Sequence, residues 1–480
     1  MRRPDKDRCY DTEVIVRRGL DFHAACVFVY RKAAVASDQF TNTPDTLKQV
    51  TEDALARARD GGASEAEAEV SESFGQSVTV RRNEVETIEY NRDKGLGVTV
   101  YIGKQRGHAN TSDLSPQAVR ATVDAALSIA RLTASDEYAG LAEPEMLATE
   151  FPDLDLYHPW HLPVDEAIAM ARQCEQAAFD ADSRILNSEG ATTSVQQAQF
   201  IYGNSNGFLA GFPSSRHAVS CAVIAGKDDN MQRDDWWTVA RAPSDLEPVL
   251  QVGAKAGRRA ARRLNSRKIA TTRVPVLFES PVAAGVIGHL VAALSGGSLY
   301  RRQSFLLDSL GRQVFPRFVQ VHDLPDEMRG LGSSAFDDEG VATRPRDVVK
   351  DGVIHGYFLS TYSARKLGMK STGNAGGNHN LILDSTGESF EALLRKMGRG
   401  LMVTELLGQG VNLVTGDYSR GAAGFWIENG EIAHPVQEVT VAGNLNDMFS
   451  SIVAVGNDVV VRSSRRCGSI LIESMTVAGE

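Results

Sequence analysis

The sequence lacks most of what would tie it to a membrane, a nucleic acid or an oxidising compartment. No apolar run approaches the roughly 18 residues needed to span a bilayer. Lys and Arg number 51 against 61 Asp and Glu, a formal net charge of -10, so the basic surface that phosphate contacts require is missing. The five cysteines are odd in number and scattered, with no Cys-x-x-Cys pair. That excludes a disulfide framework and a zinc knuckle and fits a reducing cytoplasm. No Gly-x-Gly-x-x-Gly follows an N-terminal strand, and no Gly-rich loop runs into Gly-Lys-Ser or Gly-Lys-Thr. Dinucleotide-binding and P-loop chemistry therefore lose their signatures, and the Tyr-x-x-x-Lys spacing of Tyr362 and Lys366 stands without the fold that would use it.

What remains is ordinary globular material: 42% hydrophobic and 23% charged residues over 480 positions, enough for two or three domains. The class expected is α+β, with N-terminal helix-plus-antiparallel-sheet units followed by a Gly-rich, mostly β C-terminal domain. Residues 1–43 read as an extension, expected to be disordered. The apolar run 24–30 imitates a signal peptide, but Arg31 and Lys32 separate it from Ala34-Val35-Ala36. Thr43-Pro44-Asp45 caps the first helix, strands follow at 66–73, 77–80, 85–90 and 95–102, and a first unit is assigned to 44–110. A second unit, 111–235, repeats the order of helix then short strands. The basic run Arg258, Arg259, Arg262, Arg263, Arg267 and Lys268 reads as a solvated helix face.

From residue 236 to 480 the text becomes β-rich. Strand 274–278 leads into helix 282–294. Asp351-Gly352 and Asn429-Gly430 mark two-residue hairpins. The stretch 401–458 alternates glycines with short β-prone runs and contains no metal-ligand pair. It reads as a docking surface for a peptide strand or a partner, centred on Gly408, Gln409, Gly410, Asn412, Arg420 and Gly421. Other candidates are weaker. Phe336-Asp337-Asp338-Glu339-Gly340 gathers carboxylates that point in different directions, and the loop 371–380 could cradle an anion. His379 in that loop reads as structural, Cys174 as a buried small hydrophobe, and Cys467 as a thiol whose arginine neighbours would lower its pKa.

The strings YNRDKGLGVTVY, FDDEG, YSARKLG, STGNAGG, VTELLGQGVN, VTGDYSRGAAGFWIENGEI and VAGNLNDMF resemble the PmbA/TldD family, specifically its PmbA (TldE) branch, from about residue 45 onward. The resemblance implies a metallopeptidase complex that cleaves unstructured peptides or precursor leaders. In the TldD branch a helix bearing His-Glu-x-x-x-His and a later cysteine hold the zinc. In this sequence Ala284 occupies the first histidine position and Gly285 the glutamate position, leaving His289 as the one match. A catalytic zinc needs three protein ligands and a base. The resemblance therefore implies a chain without its own zinc or other cofactor, working beside a TldD-like zinc-bearing subunit on an unstructured peptide, with no nucleic acid and no membrane as partner. A homo-oligomer, a stand-alone peptide-binding or chaperone-like protein, and a metallopeptidase active by itself remain as alternatives.

Overall fold

A computed structural model describes residues 40–479. The expected extension lies outside the described residues up to position 39. At its end, the backbone N–H groups of Thr41 and Asn42 donate to the Glu72 carboxylate, and Phe40 packs near Tyr157.

Helix α1 (Pro44–Asp60) starts where expected, its Thr43 hydroxyl accepting the Thr46 N–H. Strands β1 (Glu65–Arg81), β2 (Glu84–Ile102) and β3 (Gln105–Thr111) form an antiparallel meander, and α2 (Pro116–Leu132) returns over it. The order then repeats: α3 (Val164–Ala181), β4 (Ile185–Asn204), the short β5 (Leu209–Ala210), β6 (Pro213–Ala225), β7 (Gln232–Ala240) and α4 (Val249–Arg262). Both units share one sheet of order β3-β2-β1-β4-β6-β7, joined through the antiparallel β1–β4 pair. The architecture is thus duplicated, helix–strands–helix twice over, as the repeated order implied.

The packing divides the chain later than residues 110 and 235. Val119, Val123 and Leu127 of α2 share a core with Leu47 and Ala54 of α1. Val252, Ala256 and Ala260 of α4 share a core with Cys174 of α3. The strands are also longer than their glycines predict. β1 alternates buried and outward residues straight through Gly75, so its apolar period, not its glycine, sets its length. Arg82 and Asn83, both at positive φ, make the tight β1–β2 turn.

The basic run is a solvated face only in part: Arg258, Arg262, Arg267 and Lys268 are exposed, whereas Arg259 and Arg263 turn inward. Arg259 of α4 donates to Asp234 on β7 and to Glu279, and Arg263 pairs with Glu405. The side chains of Arg259 and Arg263 are only 11% exposed. These ion pairs bolt the second unit to the C-terminal part.

That part begins with β8 (Thr272–Phe278), α5 (Ser280–Ala293) and α6 (Gly296–Tyr300). It continues through β9 (Val321–Leu324), the β10 (Arg346–Lys350) and β11 (Val353–Ile354) hairpin, α7 (Thr361–Lys366), β12 (Asn380–Leu383) and α8 (Phe390–Met397). It ends with β13 (Gly400–Leu407), β14 (Asp417–Glu428), β15 (Glu431–Asn444), α9 (Leu445–Ser450), β16 (Ile452–Val455), β17 (Arg465–Arg466) and β18 (Ile470–Ala478). Both hairpin turns form as read: Asp351 and Gly352, and Asn429 and Gly430, all sit at positive φ. The larger sheet runs β15-β14-β13-β8-β18-β16, and β15 also pairs with β18, closing five strands into a ring. Alternation on β8 sends Val276 and Phe278 toward α5 and Leu277 toward α8. Helix α5 is thereby held against a closed sheet, a rigid platform for whatever its outer side carries.

Candidate functional site

Helix α5 buries Ala283, Val286, Ile287, Leu290 and Ala293. Gly285 is exposed and Gly288 and His289 are half-buried. Gly285 and His289, one turn apart, share a side of the helix. A side chain at Gly285 would meet nothing within 4 Å. Gly288 is filled differently: a Cβ there would lie 2.1 Å from the Arg465 guanidinium, so only glycine lets that arginine rest on the helix. The His289 ring stands edge-on to Tyr418 of β14 at 5.9 Å between centroids. Tyr418 is 1% exposed. Its hydroxyl and the Nε of Arg420 are buried without a hydrogen-bond partner. Burial pushes the Tyr418 hydroxyl up to about 12, with Arg420 pulling the other way. Burial, with Arg420 and Arg465 beside it, lowers the His289 pKa.

The residues here do not fit the zinc that the resemblance assigns to the TldD branch. Ala284 and Gly285 carry no donor atoms, and two guanidinium groups repel a dication. Among the described residues no group of three or more His, Cys, Asp or Glu is placed to hold a metal ion. The sequence missed Arg465 and Tyr418 here. Nothing local marks them, since β14 and β17 meet α5 only through the tertiary fold.

Cys467 corrects an expectation. Its thiol is 1% exposed and is pushed up to about 12, not down, by burial and by Asp458. Its backbone carbonyl accepts the Ser280 hydroxyl at the start of α5, a structural contact. Cys174 is fully buried, as read.

The docking residues separate into two groups. Gly408, Gln409, Gly410 and Asn412 are exposed in the turn between β13 and β14. Arg420 and Gly421 lie inside β14, where Gly421 pairs with Leu407 on one side and Thr440 on the other. The Gly421 backbone is thus already paired on both sides. Gly410 lies so close to Ser419 that a Cβ would sit 1.7 Å from its carbonyl oxygen. Among the described residues a free edge exists elsewhere. Residues 84–94 of β2 are all exposed, and β3 pairs only with β2 from Leu96 onward.

The remaining motifs form a second cluster between the first unit and the C-terminal part. Asp337 accepts the N–H groups of Glu339, Val341 and Ala375, locking FDDEG to STGNAGG. The Glu339 carboxylate accepts the Thr361 N–H. The His379 N–H donates to buried Asp323, the structural role expected. Arg365 grips the carbonyls of Tyr138, Gly140 and Leu141 and the Glu143 carboxylate, and Tyr362 donates to Asp136. The Tyr362–Lys366 spacing thus serves a clamp on the linker. A cleft of about 970 Å³ opens here, lined by Glu67, Tyr101, Arg106, Glu339, Tyr362 and Lys366. Burial raises Glu67, Asp337 and Asp338, the Asp337 carboxyl to about 7.

Comparison with known proteins places these motifs. Models of PmbA/TldA metallopeptidase domain 1, central domain and C-terminal domain match residues 66–130, 157–264 and 271–479. The chain belongs to the PmbA/TldD metallopeptidase family. It is 50% identical to Metalloprotease PmbA of Escherichia coli O157:H7, covering 91% of this chain and 98% of that one. It is 46% identical to a PmbA homolog of Haemophilus influenzae, covering 90% and 96%. These identities put it in the PmbA branch. In fold it is similar to TldE from Thermococcus kodakarensis, with a TM-score of 0.77 at 20% identity over 90% of this chain and 100% of that one. A Bacteroides thetaiotaomicron protein, 27% identical, gives 0.86 over 90% and 99%. Among the described residues no helix is long and apolar enough to cross a membrane.

Proposed function

We propose that this chain is the zinc-free subunit of a cytoplasmic two-subunit metallopeptidase, shaping the cleft in which a TldD-like partner hydrolyses unstructured peptides. The observation that carries the reading is the outer side of α5. It offers one imidazole where the resemblance implies two imidazoles and a carboxylate, and Arg420 and Arg465 approach that imidazole. Without a metal-bound water and a glutamate to take its proton, no attacking hydroxide can be generated there.

The chain's contribution is positional. An extended peptide can add to a sheet edge through backbone bonds with little sequence preference. The stretch 84–94 of β2, paired with β1 on one side and with no described strand on the other, supports that role, with Val85, Ile88 and Tyr90 exposed along it. The exposed turn at Gly408, Gln409, Gly410 and Asn412 is the proposed contact with the partner. The same free edge favours a second reading, a stand-alone peptide-binding protein.

Metal content and peptide cleavage are measured for the chain alone and after mixing with a His-Glu-x-x-x-His subunit. Cleavage only in the mixture, abolished by changing the partner's glutamate, is expected. Zinc with cleavage in the chain alone would contradict both readings. Peptide capture without co-purification of the two subunits would select the second.

A further inference from the structure

We infer that the outer side of α5 is a carboxylate-binding site, its cationic face formed by Arg420 and Arg465 with His289 and Tyr418 beside them. The choice of a peptide carboxylate as ligand rests on the peptidase-subunit reading. Three observations converge. First, among the described residues neither guanidinium is paired with a carboxylate. Arg420 reaches the Leu406 carbonyl, at 3.5 Å, and lies beside the Tyr418 hydroxyl, whereas Arg259, Arg329 and Arg365 each meet an acid. Second, the Tyr418 hydroxyl and the Arg420 Nε are buried and unpartnered. Buried polar groups are ordinarily satisfied, and leaving one unmet costs about 1–3 kcal/mol. Third, the outer side of the helix is open at Gly285, one turn from His289, while Gly288 lets Arg465 lie on the helix.

A carboxylate entering over Gly285 would accept charge-assisted bonds from planar guanidinium forks, the partner geometry arginine suits best. The site on the active branch's helix is thus remade from one that polarises a peptide bond into one that holds a peptide's negative charge. The carboxylate has two possible sources on a peptide: the C-terminus or an Asp or Glu side chain.

Three unstructured peptides with an uncharged N-terminal dye separate them by fluorescence anisotropy with the isolated full chain. One has a free C-terminus and no acidic residue, one is its C-terminal amide, and one is that amide carrying a single Glu. Tighter binding of the free acid than of the amide, by about tenfold, supports the site with a C-terminal ligand. Restoration by the Glu-bearing amide alone supports it with a side-chain ligand. Arg420→Met and Arg465→Met should erase the preference. Gly285→Glu should do so without removing an arginine, by placing a carboxylate in the open space, and its melting temperature should match the parent's. Equal binding of all three peptides, no binding of any, or a preference that survives these variants overturns the inference. No partner and no cleavage are involved, so this failure is separate from failure of the pairing reading.

Discussion

Two sets of arginines in this molecule look alike in sequence and differ in everything that matters physically. Arg259 and Arg263 of α4 are buried, and each meets a carboxylate from another element: Asp234 and Glu279 for the first, Glu405 for the second. Arg420 and Arg465 stand beside His289, and among the described residues neither forms an ion pair with an acid. A buried charge that is paired can hold two parts of a structure together, whereas a buried charge left uncompensated is costly, a cost that a bound anion would relieve. The difference separates the seam between the second unit and the C-terminal part from the side of α5 that the family resemblance marks.

Breaking the paired set should have the largest effect. Arg259→Met removes the nearest counter-charge from both Asp234 and Glu279, leaving only the longer contacts to Arg263 at 3.6 Å and Arg262 at 3.7 Å, and the denaturation midpoint should fall by the equivalent of about 3 kcal/mol. If the loss is below about 1 kcal/mol, the network is not the seam described. An effect that depends on pH is expected at Asp337. Its carboxyl titrates near 7 in the folded chain against an ordinary 3.8, so the folded state holds a proton that the unfolded chain releases. The stability this contributes is complete below pH 3.8 and is lost as the pH rises through about 7. The linked change is at most about 4 kcal/mol. Asp337→Asn should flatten that part of the stability–pH curve, read as the difference from the parent by denaturation at several pH values. An unchanged slope would refute the shift.

Gly410→Val forces a side chain into the Ser419 carbonyl and should cost about 1–3 kcal/mol, with weaker association with the zinc-bearing subunit in a pull-down. A variant that folds and pairs normally removes this turn from the proposed docking surface. Arg465→Met should change stability least, by under about 1 kcal/mol. A loss as large as that of Arg259→Met would mean that Arg465 is structural and would dissolve the contrast between the two sets.

Much of the fold was legible because its signals are local. The Asn429-Gly430 and Asp351-Gly352 turns, the cap at Thr43 and the apolar side of α5 each depend on residues within one turn of one another. β7 was not legible, because its inward residues mix polar with apolar: Gln232, Asp234 and Thr238 are buried alongside Trp236 and Ala240, which breaks the apolar alternation expected of a strand. Asp234 faces Arg259 and Arg263, so the same tertiary pairing hid both the strand and the burial of these two arginines. At the candidate site, the substitutions at Ala284 and Gly285 could be read from the chain once the family resemblance supplied the pattern. The arginines around His289 could not, because strands more than a hundred residues away bring them there.

The most direct test of the account is peptide hydrolysis by the purified chain alone and after addition of a His-Glu-x-x-x-His subunit, with zinc quantified in both. The account predicts no zinc and no hydrolysis from this chain alone, and hydrolysis on mixing that is lost when the partner's glutamate is replaced. Zinc-dependent hydrolysis by the isolated chain, abolished by His289→Ala, would contradict it.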